Sequence, residues 1–265
     1  MNRVVGSHDI AFVVLDTLRF DVAERCLADG RTPLLKALLP GGRWEERQTP
    51  GNFTYAAHQA FFAGFLPTPT GPGPHPRLFA ARFPGSESTA AETCVVDAPD
   101  WITGLRARGY RTICVGGVGF FNLLSPLGKV LPGLFEERHW APELGVTDPC
   151  STENQVALIE DLLSRRVDEP TLLYLNVSAI HQPNRHYLPG AEQDSLESQA
   201  AALEYVDGAL GPLWEALRRR DRATLCLVCS DHGTAYGEDG LWGHRLNHPT
   251  VNTVPYAEFL LEPSA

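Results

Sequence analysis

The stretch TLCLVCSDHGTAYGEDGLWGHRLNH, residues 224–248, joins a compact apolar run to a polar, glycine-rich segment. The apolar run lacks the alternation of a half-exposed strand, which is typical of a strand buried in a parallel sheet. Asp231 and His232 follow almost directly. Carboxylate and imidazole groups are both ligands of divalent cations, so this order predicts a metal site at the end of a buried strand. The glycines permit turns that allow His244 and His248 to return to the same place.

Four further apolar runs have the pattern of buried strands, and five segments between the runs have helical patterns. The strands are predicted at 10–15, 93–96, 111–117 and 171–178, in addition to 224–230. The helices are predicted at 32–39, 54–65, 98–109, 151–166 and 194–220, the last interrupted near Gly211-Pro212. This alternation predicts an α/β fold with a doubly wound, mostly parallel sheet and helices on both faces. No linker divides the chain, so we expect one domain over residues 1–265.

The composition restricts the classes of partner. The chain has 265 residues, of which 43% are hydrophobic, and its net charge is −10. Nucleic-acid binding needs a basic face, so this charge argues against it, whereas a metal ion can make one pocket locally positive for a small anion. The first apolar run is short and ends at Asp16, and no run approaches the roughly 20 residues of a membrane helix. We therefore expect a soluble, cytoplasmic protein without a membrane segment.

Two further patterns are interpreted from their context. Cys226 and Cys229 form a CxxC pair inside a predicted strand, where cysteine behaves as a small hydrophobe, so no redox or zinc role is expected. Segments 66–85 and 123–145 are rich in proline and glycine and exceed ordinary connections. They are predicted to form lids or walls of a substrate site.

Polar residues that follow the apolar runs are predicted to meet, because ligands in open α/β sheets bind beyond the carboxyl ends of the strands. Asp16 ends the first run, and His181 follows the run at 171–178. Thr54 adds a hydroxyl at the start of a predicted helix, where exposed N–H donors carry partial positive charge. Arg19 and Asp21 are spaced for a local ion pair that holds the turn after Asp16 in place.

The order of four motifs resembles the alkaline phosphatase/sulfatase superfamily, and the spacing resembles the sulfatase arm in particular. The motifs are LDTLRFD (15–21), GNFTYAAHQAFFAG (51–64), HQP (181–183) and SDHGTAYGEDGLWGHRLNHPTVNTVPY (230–256). The chain is also similar to small sulfatase-like proteins that bacteria encode beside radical SAM enzymes. This second resemblance implies possible partner enzymes from the same gene cluster and implies no particular substrate.

The resemblance implies an alkaline phosphatase-like three-layer sandwich in which Asp16, Asp231 and His232 are metal ligands. It implies that Thr54 is the nucleophile and also touches the metal. Sulfatases carry cysteine or serine there, converted to formylglycine, followed by Pro-x-Arg. Threonine cannot form that aldehyde, and His58 occupies the arginine position, so formylglycine chemistry is not expected. Threonine is instead the nucleophile in the phosphodiesterase and phosphoglycerol-transferase branches of the superfamily.

The remaining polar residues have open roles at this stage. His181 resembles a histidine that contacts the substrate anion, and His244 falls where sulfatases keep a substrate-binding lysine. The candidates for a second metal ion or for the substrate anion are His181, His244 and His248. The predicted substrate contacts are His58, Arg245 and Asn184. Glu238 and Asp239 are the candidate carboxylates for a second ion.

One or two divalent ions are expected, and zinc, manganese and magnesium all stay open. A threonine hydroxyl is a weak nucleophile at neutral pH and needs a metal or a base. We therefore predict a metal-dependent hydrolase or transferase that acts on a small, anionic, phosphoester-type substrate through Thr54. One alternative is a sulfuric-ester or phosphonate hydrolase with the same site. Another is a non-catalytic metal- or anion-binding partner protein.

Overall fold

The computed structural model describes residues 3–64, 77–79, 82–86, 93–95, 99–165 and 168–264. The strands are β1 (Asp9–Leu15), β2 (Glu45–Gln48), β3 (Arg77–Phe79), β4 (Thr93–Val95), β5 (Arg111–Val115), β6 (Glu137–His139), β7 (Thr171–Val177), β8 (Thr224–Cys229), β9 (Ala235–Tyr236), β10 (Trp242–Gly243) and β11 (Thr253–Leu261). The helices are α1 (Phe20–Ala28), α2 (Pro33–Leu38), α3 (Thr54–Ala63), α4 (Trp101–Arg106), α5 (Ser151–Ser164), α6 (Leu196–Ala209), α7 (Gly211–Arg218) and α8 (Pro249–Asn252). None of the helices in these ranges is long and apolar enough to span a membrane.

Seven strands form one sheet in the order β2-β11-β8-β1-β7-β5-β6. The strands from β8 to β6 run parallel, whereas β11 is antiparallel to β8 and β2 is antiparallel to β11. Every residue of β1 and β7 is buried, which explains why these strands read as continuous apolar runs. The predicted fold class, an α/β protein with a mostly parallel sheet, is confirmed.

Helices cover both faces of this sheet. Alternate residues of β1 point to opposite sides, so that Val13 packs in one apolar cluster and Phe12 in the other. The first cluster is completed by α1, α5, α6 and α7, and the second by α3 and α4. Cys226 and Cys229 in β8 belong to different clusters, so their side chains lie on opposite faces and do not pair.

Several predicted boundaries agree with the structure, and two segments differ. The long helical pattern is interrupted at Gly211, where α7 begins with Pro212 in its first turn. The predicted strand at 93–96 does not join the main sheet: β4 pairs with β3 in a separate two-stranded sheet, and residue 96 lies outside the described residues. Most of segment 66–85 also lies outside them. Segment 123–145 contributes the edge strand β6 and three short 3-10 turns.

A buried ion pair ties the strands together at the amino ends of β1 and β7. Asp9 Oδ2 accepts from Arg220 Nε at 2.6 Å, and Asp9 Oδ1 accepts from the backbone N–H of Thr171 at 2.7 Å. Both charged side chains are buried, but each has its partner. The buried charges at this end of the sheet therefore offset each other.

Candidate metal centre and nucleophile

The carboxyl ends of two neighbouring parallel strands bring three of the predicted ligands together. Asp16 follows β1, and Asp231 and His232 follow β8. One ligand atom from each of these three residues lies within 4.8 Å of the others, and all three side chains are buried. In the part of the chain that the structure describes, this is the one cluster of at least three such residues. It lies where the strand-end argument predicts a ligand site.

Each of the two carboxylates has one oxygen held by donors and one oxygen without a partner. Asp16 Oδ2 accepts from Asn176 Nδ2 at 2.9 Å. Asp231 Oδ1 accepts from the backbone N–H groups of Thr17 at 3.1 Å and His232 at 3.0 Å. Asp16 Oδ1 and Asp231 Oδ2 are buried with no hydrogen-bond donor among the described residues. Buried oxygens of this kind are costly unless a cation offsets them.

The protonation states at the centre follow from burial. Burial raises the pKa of Asp231 to about 7. Burial and the charge of Asp231 raise the pKa of Asp16 to about 6, because two buried carboxylates resist being ionised together. Burial also lowers the pKa of His232 to about 4, so this ring is neutral at pH 7. His232 Nδ1–H donates to the carbonyl of Gly233 at 2.8 Å, which leaves the lone pair of Nε2 facing the carboxylates.

The free ligand atoms of Asp16, Asp231 and His232 fit a divalent cation. Two carboxylate oxygens and one imidazole nitrogen form a ligand set that suits zinc and manganese. The two carboxylates of this set also suit magnesium. The Gly233 carbonyl accepts from His232 Nδ1–H, and the Asn176 side-chain amide donates to Asp16. These hydrogen bonds orient the candidate ligands, as the outer partners of metal ligands do. The unpartnered oxygens are the observation that makes the fit specific.

Thr54 lies at the edge of this cluster. It is the first residue of α3, is 2% exposed, and its Oγ1 is 3.3 Å from His232 Nε2. Phe53 is the N-cap residue and makes no side-chain cap, and the hydroxyl of Thr54 pairs with His232. The predicted nucleophile and the predicted ligands therefore share one site.

The turn after Asp16 holds an unusual backbone conformation. Thr17 has φ of 62°, in the left-handed region that a β-branched residue rarely adopts. This conformation aims the Thr17 N–H at Asp231, and Gln199 Nε2 donates to the Thr17 carbonyl at 3.0 Å. Gln199 comes from α6, so no local sequence pattern pointed to it. The strain serves to orient a ligand.

Arg19 fastens the same turn to the segment that follows His232. Its Nε and Nη2 donate to the two oxygens of Asp21 at 2.9 and 2.6 Å, which is the predicted ion pair. Its Nη1 donates to Glu238 and, at 3.4 Å, to the carbonyl of Thr234. Glu238 therefore pairs with arginine in this structure and stands outside the metal-ligand cluster.

Two predicted substrate contacts, His58 and Asn184, are fully buried in the protein interior. His58 is 0% exposed, and both ring nitrogens are engaged, with the Thr54 carbonyl and with Tyr174 Oη. Asn184 is also buried, and its Nδ2 donates to the Ile180 carbonyl at 2.8 Å. A substrate contact needs a free polar atom at an open surface, so the geometry favours structural roles for both side chains.

Two histidines lie beside His232. The His244 ring centroid is 4.8 Å from that of His232 and 5.7 Å from that of His181. His244 Nδ1 is buried without a hydrogen-bond partner among the described residues, and burial lowers the pKa of His244 to about 3. His181 and His244 therefore lie close to the metal-ligand cluster.

The two other residues of this segment have different positions. His248 caps α8, since its Nδ1 accepts from the N–H of Thr250 at 3.2 Å, and its Nε2 lies 3.1 Å from Asp239 Oδ2. These bonds use both ring nitrogens and separate His248 from the ligand cluster. Arg245 is exposed, and its backbone N–H donates to the carbonyl of Asn52 at 2.7 Å, two residues before Thr54.

Gly233 is required by a close backbone approach. A Cβ added to it would lie 1.9 Å from the carbonyl oxygen of Thr250. We expect Gly233→Ala to lower the free energy of unfolding by about 2 kcal/mol or more, because backbone atoms have to move. The matched control is Gly104→Ala in α4, where no atom lies within 4 Å and a gain of roughly 0.5–1 kcal/mol is expected. Urea unfolding measures both, and equal midpoints for Gly233→Ala and wild type would contradict the prediction.

Known proteins were compared with this chain by sequence family and by structure. The family model described as Sulfatase matches residues 8–256. The periplasmic domain of phosphoethanolamine transferase EptC from Campylobacter jejuni is 13% identical, with a TM-score of 0.65 over 96% of this chain and 79% of that one. The EptC periplasmic domain from Escherichia coli, in complex with Zn, is 11% identical, with a TM-score of 0.61 over 97% and 73%. A putative sulfatase from Bacteroides fragilis is 17% identical, with a TM-score of 0.62 over 97% and 68%.

These structural similarities show the fold, and the family match shows the membership. A search of curated protein sequences finds no match. The family model covers the chain from the start of β1 to the middle of β11, and therefore includes Asp16, Thr54, Asp231 and His232. The chain belongs to the Sulfatase family.

Proposed function

We propose that the protein is a metal-dependent hydrolase or transferase that acts on a phosphoester-type substrate, with Thr54 as the nucleophile. One observation carries the proposal: the Thr54 hydroxyl lies 3.3 Å from His232 Nε2, beside two buried carboxylates that each have one oxygen without a donor among the residues that the structure describes. Such an arrangement suits a cation and a nucleophile that share one site.

Asp16, Asp231 and His232 would hold the cation. Proteins of the Sulfatase family typically bind a divalent metal, and one structural neighbour was solved with zinc. A divalent cation at this place would favour loss of the hydroxyl proton and offset negative charge on the transferred group. We favour one ion, because His248 caps a helix and Glu238 pairs with Arg19, which leaves few groups for a second ion among the described residues.

The side chains of the chain itself support the remaining steps. Thr54 Oγ1 loses its proton to solvent water and attacks phosphorus. Its bond to phosphorus forms as the bond to the leaving oxygen breaks, and the leaving oxygen takes up a proton from solvent. The ring of His244 lies beside those of His232 and His181, and His181 and His244 would contact the anion's other oxygens. Water or a second hydroxyl then takes the phosphoryl group from Thr54, which corresponds to hydrolysis or transfer respectively.

The identity of residue 54 favours phosphate over sulfate esters. A formylglycine cannot be made from threonine, so the usual nucleophile of sulfatases is excluded at this position. The EptC neighbour from Campylobacter jejuni is the periplasmic domain of a phosphoethanolamine transferase. Sulfuric-ester or phosphonate hydrolysis, and a non-catalytic binding role beside a partner protein, are the competing functions that the experiment has to separate.

The test compares metal-free protein with protein supplied with zinc, manganese or magnesium. The substrates are an aryl phosphate monoester, an aryl phosphate diester, an aryl sulfate and an aryl phosphonate. We expect metal-dependent release of phenol from at least one phosphate ester. Turnover of the aryl sulfate alone would replace the proposal by the sulfatase alternative. Tight metal binding without any turnover, together with co-purification of another protein, would favour the non-catalytic role.

A further inference from the structure

We infer that His58 and Tyr174 are positioning residues that hold the start of α3, and with it the Thr54 hydroxyl, against the metal centre. This inference rests on the proposed role of Thr54. Neither residue touches the place where a substrate would react. They act through the backbone of Thr54.

A chain of two short hydrogen bonds links the middle of the sheet to the nucleophile. His58 Nδ1 lies 2.6 Å from the carbonyl oxygen of Thr54, and Tyr174 Oη lies 2.5 Å from His58 Nε2. A carbonyl only accepts, so Nδ1 carries the proton. Nε2 of the neutral ring then accepts, so the Tyr174 hydroxyl donates. Each group in the chain has a single possible role, which selects one tautomer of His58.

The surroundings of His58 prevent its ring from turning or meeting water. The ring is 0% exposed and is enclosed by four aromatic rings at centroid distances of 5.2–5.7 Å, those of Phe61, Phe62, Phe121 and Tyr174. Buried polar networks that are fully satisfied are rigid, because breaking one bond leaves an unpartnered group in an apolar place. The chain Tyr174–His58–Thr54 is therefore a fixed strut between β7 and α3.

The start of α3 depends on this strut. The N-cap residue Phe53 gives no side-chain bond to the first turn, so the usual way of fixing a helix start is missing. The bond from His58 holds the Thr54 carbonyl from below, while the hydroxyl of the same residue lies 3.3 Å from His232 Nε2. A displacement of the carbonyl moves the hydroxyl with it.

The strut also leaves a metal ligand free. His58 Nδ1 is 3.8 Å from Asp231 Oδ2, which is beyond hydrogen-bond distance. Because the proton on Nδ1 is given to the Thr54 carbonyl, Asp231 Oδ2 has no hydrogen-bond donor in the described part of the chain and stays available to a cation. His58 thus holds the backbone of Thr54 without donating a hydrogen bond to Asp231.

The experiment compares Tyr174→Phe with Tyr55→Phe. Both hydroxyls are buried, and Tyr55 belongs to α3 itself, but Tyr55 Oη has no hydrogen-bond partner among the described residues, whereas Tyr174 Oη donates to His58. In the metal-loaded full chain we expect Tyr174→Phe to lower kcat by about 10- to 100-fold, with KM and metal affinity within about twofold of wild type. Tyr55→Phe should keep the kcat of wild type. Equal kcat for the two variants would overturn the inference.

A second pair of variants tests the donor on residue 58. His58→Asn keeps an N–H donor near the place of Nδ1, whereas His58→Leu keeps the bulk without a donor. If both fold with similar unfolding midpoints, kcat should rank wild type above His58→Asn and His58→Leu last. A His58→Leu enzyme as active as His58→Asn would mean that the ring only fills space.

An observable that is independent of turnover separates this inference from the proposed function. In 15N NMR of histidine-labelled protein, Nδ1 of His58 should carry the proton, and Tyr174→Phe should shift the Nε2 resonance while Tyr55→Phe leaves it unchanged. An enzyme without any turnover would refute the proposed function alone. An Nε2 resonance that is unaffected by Tyr174→Phe would refute the strut.

Discussion

Thr54→Ala is expected to lower kcat by about 10⁴-fold or more, while the fold and the metal content stay those of wild type. The loss is large because no other hydroxyl in the described residues lies within hydrogen-bond distance of His232 Nε2. The fold should survive because Thr54 does not cap α3 and alanine is the best helix former. Stopped assays with an aryl phosphate and metal analysis of the same sample measure both quantities.

Thr54→Ser is the matched control for this prediction. Serine keeps the hydroxyl and loses only a methyl group, so kcat should stay within about tenfold of wild type. Burst release of the aryl group, equal to the amount of protein, would report the covalent step on residue 54. Full activity of Thr54→Ala would show that another group attacks the ester, and the proposed mechanism would then be wrong.

Asp231→Asn is expected to remove metal binding and with it the metal-dependent turnover. The amide keeps the acceptor for the N–H groups of Thr17 and His232 at the Oδ1 position, but it replaces the unpartnered oxygen by a group that does not bind a cation. Metal content after dialysis should fall from about one ion per chain to near zero. Unchanged metal content in this variant would refute the ligand assignment.

The same substitution should stabilise the metal-free protein at alkaline pH. Burial raises the pKa of Asp231 from its ordinary value of 3.8 to about 7, so the folded state holds this proton more tightly than the unfolded state does. The stabilisation is present below pH 4 and is lost as the pH rises through 7. At pH 8, metal-free Asp231→Asn should therefore be more stable than metal-free wild type by on the order of 3 kcal/mol, with little difference at pH 4.

Asp9→Asn provides the control with the opposite sign. Asp9 is equally buried but is paired with Arg220, so its replacement leaves a buried guanidinium without a counter-charge. A loss of roughly 3–5 kcal/mol is expected at pH 8, with or without metal. Urea unfolding of the two variants at pH 4 and pH 8 measures the contrast. If both variants are less stable than wild type in the absence of metal, the ionised carboxylate of Asp231 does not destabilise the folded protein, and the prediction is wrong.

Much of the architecture could be predicted because the signals are local. The runs that became β1, β5, β7 and β8 are mostly apolar and do not alternate, since both faces of a parallel sheet are covered. The break at Gly211-Pro212 has a similarly local cause. The helix α1, the antiparallel strand β11 and the edge strands β2 and β6 were missed. β2 is a short exposed segment of charged and polar residues, which has the composition of a loop and becomes a strand only through its pairing with β11.

The sequence by itself determined which residues could meet at the metal centre. Asp16, Asp231 and His232 follow strands whose carboxyl ends share one edge of the sheet, and Thr54 begins a helix, so order along the chain was enough to group them. Only the tertiary structure decided what the other polar residues do. His58 is held by Tyr174, 116 residues away, and His248 faces Asp239 instead of the metal centre. The direction of a side chain depends on partners brought by distant segments, and those partners leave no periodic signal beside it.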